Sequence, residues 1–361
     1  MRVALVHDWV TVPGGSEEVL KEALSLYPGV LFTAMCDQAR YPWLDGIEVR
    51  TSWLQKMPLA KTKHYLYSPL LTYIYPKFDL QEFDLVLSDS HSFAHGVIKR
   101  PDALHINYYH SPARALWTPE IDSRAQGFFR SRIAGVLKRR DLEFSKRPDV
   151  IFANSLTTAE RVERFYGRKV QRVIYPPVHT GRFLSIPRRS EEEGYLMWGR
   201  FIAYKRFDLA IDAAKQAGFK LNIVGSGPLE DELRSRAAGA TNISFLGRLA
   251  DDELSDLISR SRAVLFPCYE DFGIIPVEAM AAGLPVIAYG KGGASETVTP
   301  EFGVQMGQLS VGDLVRAVGE LEKRSFNEGA LREHAKQFDV EVFRTTYKAE
   351  VDAAIERHGA R

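Results

Sequence analysis

The feature that most constrains this chain is the stretch from Ala263 to Tyr289. Ala263 to Phe266 is an unbroken apolar run and reads as a strand buried on both faces. Pro276 to Ala282 reads as a short helix, with proline in its first turn and Gly283 just past its end. Pro285 to Ala288 is a strand again. In such a strand-loop-helix-strand unit the loop lies at the carboxyl edge of a parallel sheet, where ligands bind. Glu270 stands in that loop and Glu278 in the predicted first helical turn, eight positions on.

Two carboxylates near one helix N-terminus have two readings. Glu278 can complement the helix dipole while Glu270 stays solvated. Alternatively both face the crevice, where carboxylates suit sugar hydroxyls. Ile275, on the N-cap side, has no hydroxyl to complete a capping box, which weakens the first reading.

The rest of the chain repeats the same alternation. Strands are predicted at Val3–Val6, Asp84–Ser88, Leu104–Asn107 and Val150–Ala153, with helices over Ser16–Leu26 and about Thr157–Phe165. Further strands are predicted at Tyr195–Trp198, Phe219–Val224 and Ile243–Leu246, and helices at Asn327–Phe338 and Val340–Arg357. With 361 residues there is room for two domains, each with its own core. The predicted bounds are 1–177 for the first and 195–338 for the second, with 178–194 as linker and 339–361 as a terminal helix.

Several loops at predicted strand ends carry chemistry. Gly14 and Gly15 permit close backbone approach to a ligand, or simply a tight turn. His110 follows a strand in Tyr108-Tyr-His-Ser-Pro-Ala-Arg114; a lone histidine is commonly a hydrogen-bonded structural residue. Arg200 and Lys205 follow the strand at Tyr195, where a fork and a point charge can neutralise a diphosphate. Gly225-Ser-Gly-Pro has Glu230 where a dinucleotide fingerprint needs its third glycine, so NAD binding is rejected. Gly290 to Glu296 supplies another glycine-rich loop before a helix.

Composition excludes several classes. Hydrophobic content of 45% with 26% charged residues suits a soluble globular protein, and no apolar run reaches the roughly 18 residues a membrane span needs. A net charge of +1 gives no overall pull toward nucleic acid. Cys36 and Cys268 have no metal-ligand spacing, and a reducing cytoplasmic compartment fits them. No Asp-x-Asp metal cluster stands at a strand end. Lys56–Lys77 and Phe128–Arg140 mix basic and aromatic residues. Such segments either lie on an anionic membrane surface or pack an apolar stripe on the sheet with their cations solvated.

Glu270 to Glu278, with Asp-Phe-Gly-Ile-Ile-Pro-Val between and Ala-Met-Ala-Ala-Gly-Leu-Pro-Val-Ile-Ala after, resembles the E-x7-E signature of retaining glycosyltransferases of family 4. That resemblance covers the second domain strongly and the first through its Gly-Gly loop and His110. It implies an α/β GT-B fold, two facing Rossmann-like domains with a C-terminal helix crossing back to the first. It implies a nucleotide-sugar hexosyltransferase needing no cofactor or metal, with front-face departure of the diphosphate. Glu278 would bind the donor ribose, Glu270 and His110 the donor sugar, and Arg200 and Lys205 the diphosphate, helped by amides at Phe272, Gly273, Ile274 and Ile275. Gly14, Gly15, Gly225, Gly247, Arg248 and Leu249 would line the donor site.

The segment containing His110 resembles bacterial mannosyltransferases of polysaccharide or O-antigen assembly. GDP-mannose is therefore the first-choice donor and a UDP-hexose the second. The acceptor would be a glycan or a polyprenyl-diphosphate-linked saccharide, with the enzyme cytoplasmic and peripheral to the inner membrane face. Competing readings are a sugar-nucleotide epimerase, a glycan phosphorylase lacking an identifiable cofactor lysine, and a catalytically silent binding subunit.

Overall fold

A computed structural model describes residues 1–119, 128–189 and 193–360, the first five residues of the second stretch by backbone only. The chain divides into two compact units, Met1–Pro177 with Phe343–Arg361, and Val178–Val342.

In the first unit the strands are β1 (Val3–His7), β2 (Val30–Thr33), β3 (Val49–Thr51), β4 (Leu85–Ser90), β5 (Leu104–Tyr109), β6 (Val150–Ala153) and β7 (Arg172–Val173). They form one sheet in the order β3-β2-β1-β4-β5-β6-β7, and every pairing is parallel. All residues of β1, β4 and β5 are buried, as expected for strands covered on both faces. Strand order reverses between β1 and β4, which opens a crevice at their carboxyl ends.

In the second unit β8 (Tyr195–Arg200), β9 (Leu221–Ser226), β10 (Ile243–Gly247), β11 (Ala263–Phe266), β12 (Val286–Tyr289) and β13 (Gly303–Met306) pair in the order β10-β9-β8-β11-β12-β13, again all parallel. Here the reversal lies between β8 and β11. Two Rossmann-like parallel sheets are thus present, as the alternation of elements predicts.

The C-terminal helix, Val340–Gly359, runs into the first unit from Phe343 onward. Phe343, Tyr347, Val351 and Ala354, spaced by one helical turn each, are buried in the cluster with Leu5, Leu87, Tyr108 and Phe152. The Tyr27 hydroxyl donates to Asp352 at 2.7 Å and Arg344 pairs with Glu22 at 2.5 Å, so the helix is held by polar ties as well as apolar burial.

Residues 178–194, read as a linker, fold onto the second unit over their described part. A short helix, Thr180–Leu184, opens it. Arg188 donates to the carbonyls of Ile258, Ser259 and Ser261, and Arg332 to those of Leu184 and Ile186. Guanidinium forks satisfy this backbone, which composition alone does not reveal.

In the segment Lys56–Lys77, helical structure runs on from a 3-10 helix at His64–Leu70 through an α-helical turn at Leu71–Ile74 to a 3-10 turn at Tyr75–Lys77. Leu71, Ile74 and Tyr75 enter the core, whereas Trp53, Leu59, Tyr65, Leu66 and Tyr73 are exposed. Of the second basic-aromatic segment, a helix spans Phe128–Phe144; the side chains of 128–132 lie outside the described residues. Leu137 is buried, while Ile133 and Val136 are exposed.

Candidate active site

The organising stretch folds as β11, a loop, and a helix over Ile274–Ala281. The helix starts two residues before the predicted Pro276. Gly273 is its N-cap with φ of 89°, a left-handed conformation that only glycine adopts freely. Glu278 is therefore the fifth helical residue, one turn in, rather than a first-turn residue.

Glu278 accepts a hydrogen bond from the Trp198 side chain on β8. Burial pushes its carboxyl up to about 7, against the opposing pull of Trp198, Arg182, Lys205 and His179. Glu270, in the loop, makes an ion pair with Lys205 in which both side chains are largely shielded, 13% and 15% exposed. Burial alone would push the Lys205 ammonium down, but the Glu270 carboxylate outweighs it and the pKa is raised. The Cys268 sulfur lies 3.9 Å from a Glu270 oxygen, and its thiol is pushed up, first by burial and then by that carboxylate. Lys205, Glu270 and Glu278 thus gather at the β8–β11 reversal, with the amides of the helix start beside them.

The loop carrying Glu270 is clamped from behind. The Gly293 N–H donates to the Glu270 carbonyl at 2.8 Å, and a β-carbon on Gly293 would fall 2.2 Å from the Asp271 carbonyl oxygen. The predicted glycine-rich loop 290–296 is therefore a fitted support for the glutamate loop.

Other predicted residues have different placements. Arg200 ends β8 and is exposed. Gly225 has φ of 137°, and a β-carbon there would lie 1.9 Å from the Gly199 carbonyl oxygen. The close approach that this glycine permits is therefore to the neighbouring strand. Gly247 closes β10; next to it the exposed Arg248 donates to the Ser226 hydroxyl at 2.7 Å, and Leu249 is half-buried. Phe272, predicted at the donor site, turns its ring toward Phe338, with centroids 5.8 Å apart, so that only its backbone is available there. Ile274 and Ile275 are half-buried at the helix start.

In the first unit Gly14 caps the helix Gly15–Leu26 in an extended conformation, with φ of −166°. His110 follows β5, is 8% exposed, and pairs through Nε2 with Asp89 of β4. The other Asp89 oxygen lies 3.3 Å from Nδ1 of His7, at the end of β1. Asp8 accepts four backbone N–H groups, from His91, Ser92, Phe93 and Ala94, at 2.7–2.8 Å. Sequence reasoning missed His7, Asp8, Asp89 and Trp198. For His7 and Asp8 the available signal was a pair of polar residues at the end of an apolar strand.

Residues 184–338 match the family model described as glycosyl transferases group 1. The matched region covers β8 to β13 and therefore Lys205, Glu270 and Glu278. The chain is 30% identical over 147 residues to an uncharacterized glycosyltransferase of Methanocaldococcus jannaschii, covering 40% of this chain and 42% of that protein. It is 31% identical over 201 residues to a GDP-mannose-dependent alpha-(1-6)-phosphatidylinositol monomannoside mannosyltransferase of Mycobacterium tuberculosis, covering 48% and 52%. The chain thus spans about half the length of these curated relatives. Among solved structures it is similar to HepE of Anabaena in complex with UDP, with a TM-score of 0.71, 19% identity and coverage of 98% and 100%. That likeness, over nearly the whole of both chains, establishes a GT-B fold.

Proposed function

We propose that this protein is a retaining, family 4-like glycosyltransferase that moves a hexose, mannose from GDP-mannose as first choice, to a hydroxyl of a glycan or lipid-linked saccharide. The observation that carries this reading is the joint placement of Lys205, Glu270 and Glu278 at the strand-order reversal, inside the region matching the glycosyltransferase model. The chemical demand is departure of a nucleoside diphosphate from the anomeric carbon. Lys205, with Arg200 and the amides of Gly273 and Ile274, would bind the charge growing on that leaving group. Glu278 would accept from ribose hydroxyls and Glu270 would face the sugar. His110 of the first unit would bind the donor hexose.

The M. tuberculosis relative, described as GDP-mannose-dependent, favours the guanine nucleotide. A UDP-hexose is the second reading, favoured by the UDP in HepE. Thermal-shift screening with GDP- and UDP-sugars, followed by turnover with and without a bacterial lipid extract as acceptor source, tests both. A ligand at about 100 times its Kd adds roughly 2.7 kcal/mol of stability. Stabilisation by no sugar nucleotide would sink the proposal, and turnover to an altered free sugar nucleotide without acceptor would point to an epimerase.

We further propose a peripheral contact with an anionic lipid surface. Among the described residues no helix is long and apolar enough to cross a membrane. Trp53, Leu59, Tyr65, Leu66 and Tyr73 are exposed beside Lys56, Lys61 and Lys63, a combination suited to lipid headgroups. Flotation with anionic vesicles at low salt should capture the protein, and replacing Lys61 and Lys63 by glutamine should weaken capture. Indifference of the native chain to such vesicles would reject the contact.

A further inference from the structure

The polar edge of the first unit holds more than His110. In the parallel ladder His7 of β1 is directly opposite Asp89 of β4, and β5 beside it delivers His110. One carboxylate therefore bridges two imidazoles, Oδ2 toward Nδ1 of His7 and Oδ1 toward Nε2 of His110. His7 is fully buried, and Asp89 and His110 are 5% and 8% exposed. The His110 contact is a hydrogen bond and the His7 contact an ion pair at 3.3 Å, so rotating the His110 ring away would leave a buried anion without its hydrogen-bond donor.

We propose that Asp89, held between His7 and His110, is a positioning residue that sets the orientation and tautomer of His110 toward the donor sugar. The inference rests on the reading that His110 meets the donor hexose. With Nε2–H of His110 committed to Asp89, Nδ1 is the ring atom left for a ligand hydroxyl. His7 supplies the balancing charge. Burial alone would push the His7 imidazole down, but Asp89, then Glu17 and Asp8, outweigh it and hold its pKa at about 9. Despite its burial, the His110 and His7 imidazoles on its two sides keep Asp89 well below the usual carboxylate range.

The other charged and titratable groups facing this bridge are Asp8, Glu17, His91, Arg114, Tyr108 and Tyr347. Asp8 is committed to the loop amides of residues 91–94, and Glu17 accepts from the Ser16 hydroxyl at 2.9 Å. Burial, reinforced by the charge on His7, pushes His91 well below its ordinary value, so it adds no proton near neutrality. His110 is thus left with one anionic partner, and that partner is neutralised from the far side by His7.

The test uses the full chain in two measurements. Nitrogen NMR of histidine-labelled protein, assigned with His7→Gln and His110→Gln, should show His110 protonated at Nε2 and bare at Nδ1, and His7 doubly protonated at neutral pH. Both signatures should be lost in Asp89→Asn. Kinetically, Asp89→Asn should cut GDP release from GDP-mannose at saturating donor roughly 10- to 100-fold, the scale of a misplaced reacting group, while GDP affinity stays unchanged. An Nδ1–H tautomer of His110 in the native protein, or full turnover in Asp89→Asn, would overturn the positioning role. Full turnover in His110→Gln with the expected NMR signatures would instead overturn the donor reading of His110 and leave the bridge standing. The native-protein spectrum decides the bridge even if Asp89→Asn fails to fold.

Discussion

Both units place charged groups where strand order reverses, yet the two edges are built oppositely. In the first unit the carboxylates are committed internally, Asp8 to four loop amides and Asp89 to two imidazoles, and all are buried. In the second unit Lys205 and Glu270 are paired with each other and largely shielded, while Arg200 ends its strand in solvent. The first edge resembles a fixed mould, whereas the second holds charges that a phosphate or hydroxyl can recruit. A charge already spent on the protein contributes shape; a charge still accessible contributes binding and catalysis.

The largest test of that contrast lies at the Lys205–Glu270 pair. Lys205→Ala should lower turnover at saturating donor by about 100-fold or more, the range for losing one group that stabilises developing charge. It should also weaken GDP. Glu270→Gln should depress turnover and leave GDP affinity nearly intact, because this carboxylate is assigned to the sugar. If Glu270→Gln weakened GDP as much as Glu278→Gln does while turnover stayed normal, the division of roles would be wrong.

A smaller effect is expected at Glu278, which separates binding from stability. Its folded pKa, raised from 4.5 to about 7, favours the neutral form in the empty protein. The stability linked to it is fully present below 4.5 and is lost as pH rises through about 7. Acceptance from ribose hydroxyls is stronger for the carboxylate, so GDP should bind more tightly as pH rises through the same point, by at most about tenfold per pH unit. Calorimetric titration of GDP across neutrality checks this. Glu278→Gln should flatten the dependence and cost roughly 1.5–3 kcal/mol in binding at higher pH; an unchanged slope would remove Glu278 from the ribose.

The smallest effects distinguish the glycines. Gly293→Ala forces a β-carbon against the backbone that carries Glu270, and a loss of about 1–3 kcal/mol is expected together with reduced turnover. Gly14→Ala would meet the Glu17 carboxylate at 3.1 Å and the Val12 carbonyl oxygen at 4.0 Å, in an extended conformation open to any residue. Its stability should change by less than about 0.5 kcal/mol. Thermal melts of the two variants would show equal losses if the first-unit loop were as tightly fitted as the second.

Elements with strong local signals were legible in the sequence. Val150–Ala153 is a strand with its predicted bounds, and the helix predicted at Asn327–Phe338 forms over Glu328–Lys336 with Asn327 as its cap. The edge strands β3 and β13 and the inner strand β2 were not read, being only three or four residues long. Lys205, Glu270 and Glu278 were legible through their motif. Asp89 was not, because nothing in its neighbourhood in the chain reveals that His7 lies opposite it.

The sequence by itself determined the layered α/β alternation and which loops carry cations and carboxylates. Those properties depend on apolar periodicity and on residues close in the chain. Only the tertiary structure decided which charges are spent and which remain accessible. It paired Lys205 with Glu270, 65 positions apart, and bridged His7 to His110 through Asp89. It also showed that Gly225 accommodates a neighbouring strand and that residues 178–189 fold onto the second unit. Such outcomes depend on strand register and burial, which bring distant residues within a few ångströms and set the dielectric in which their charges act.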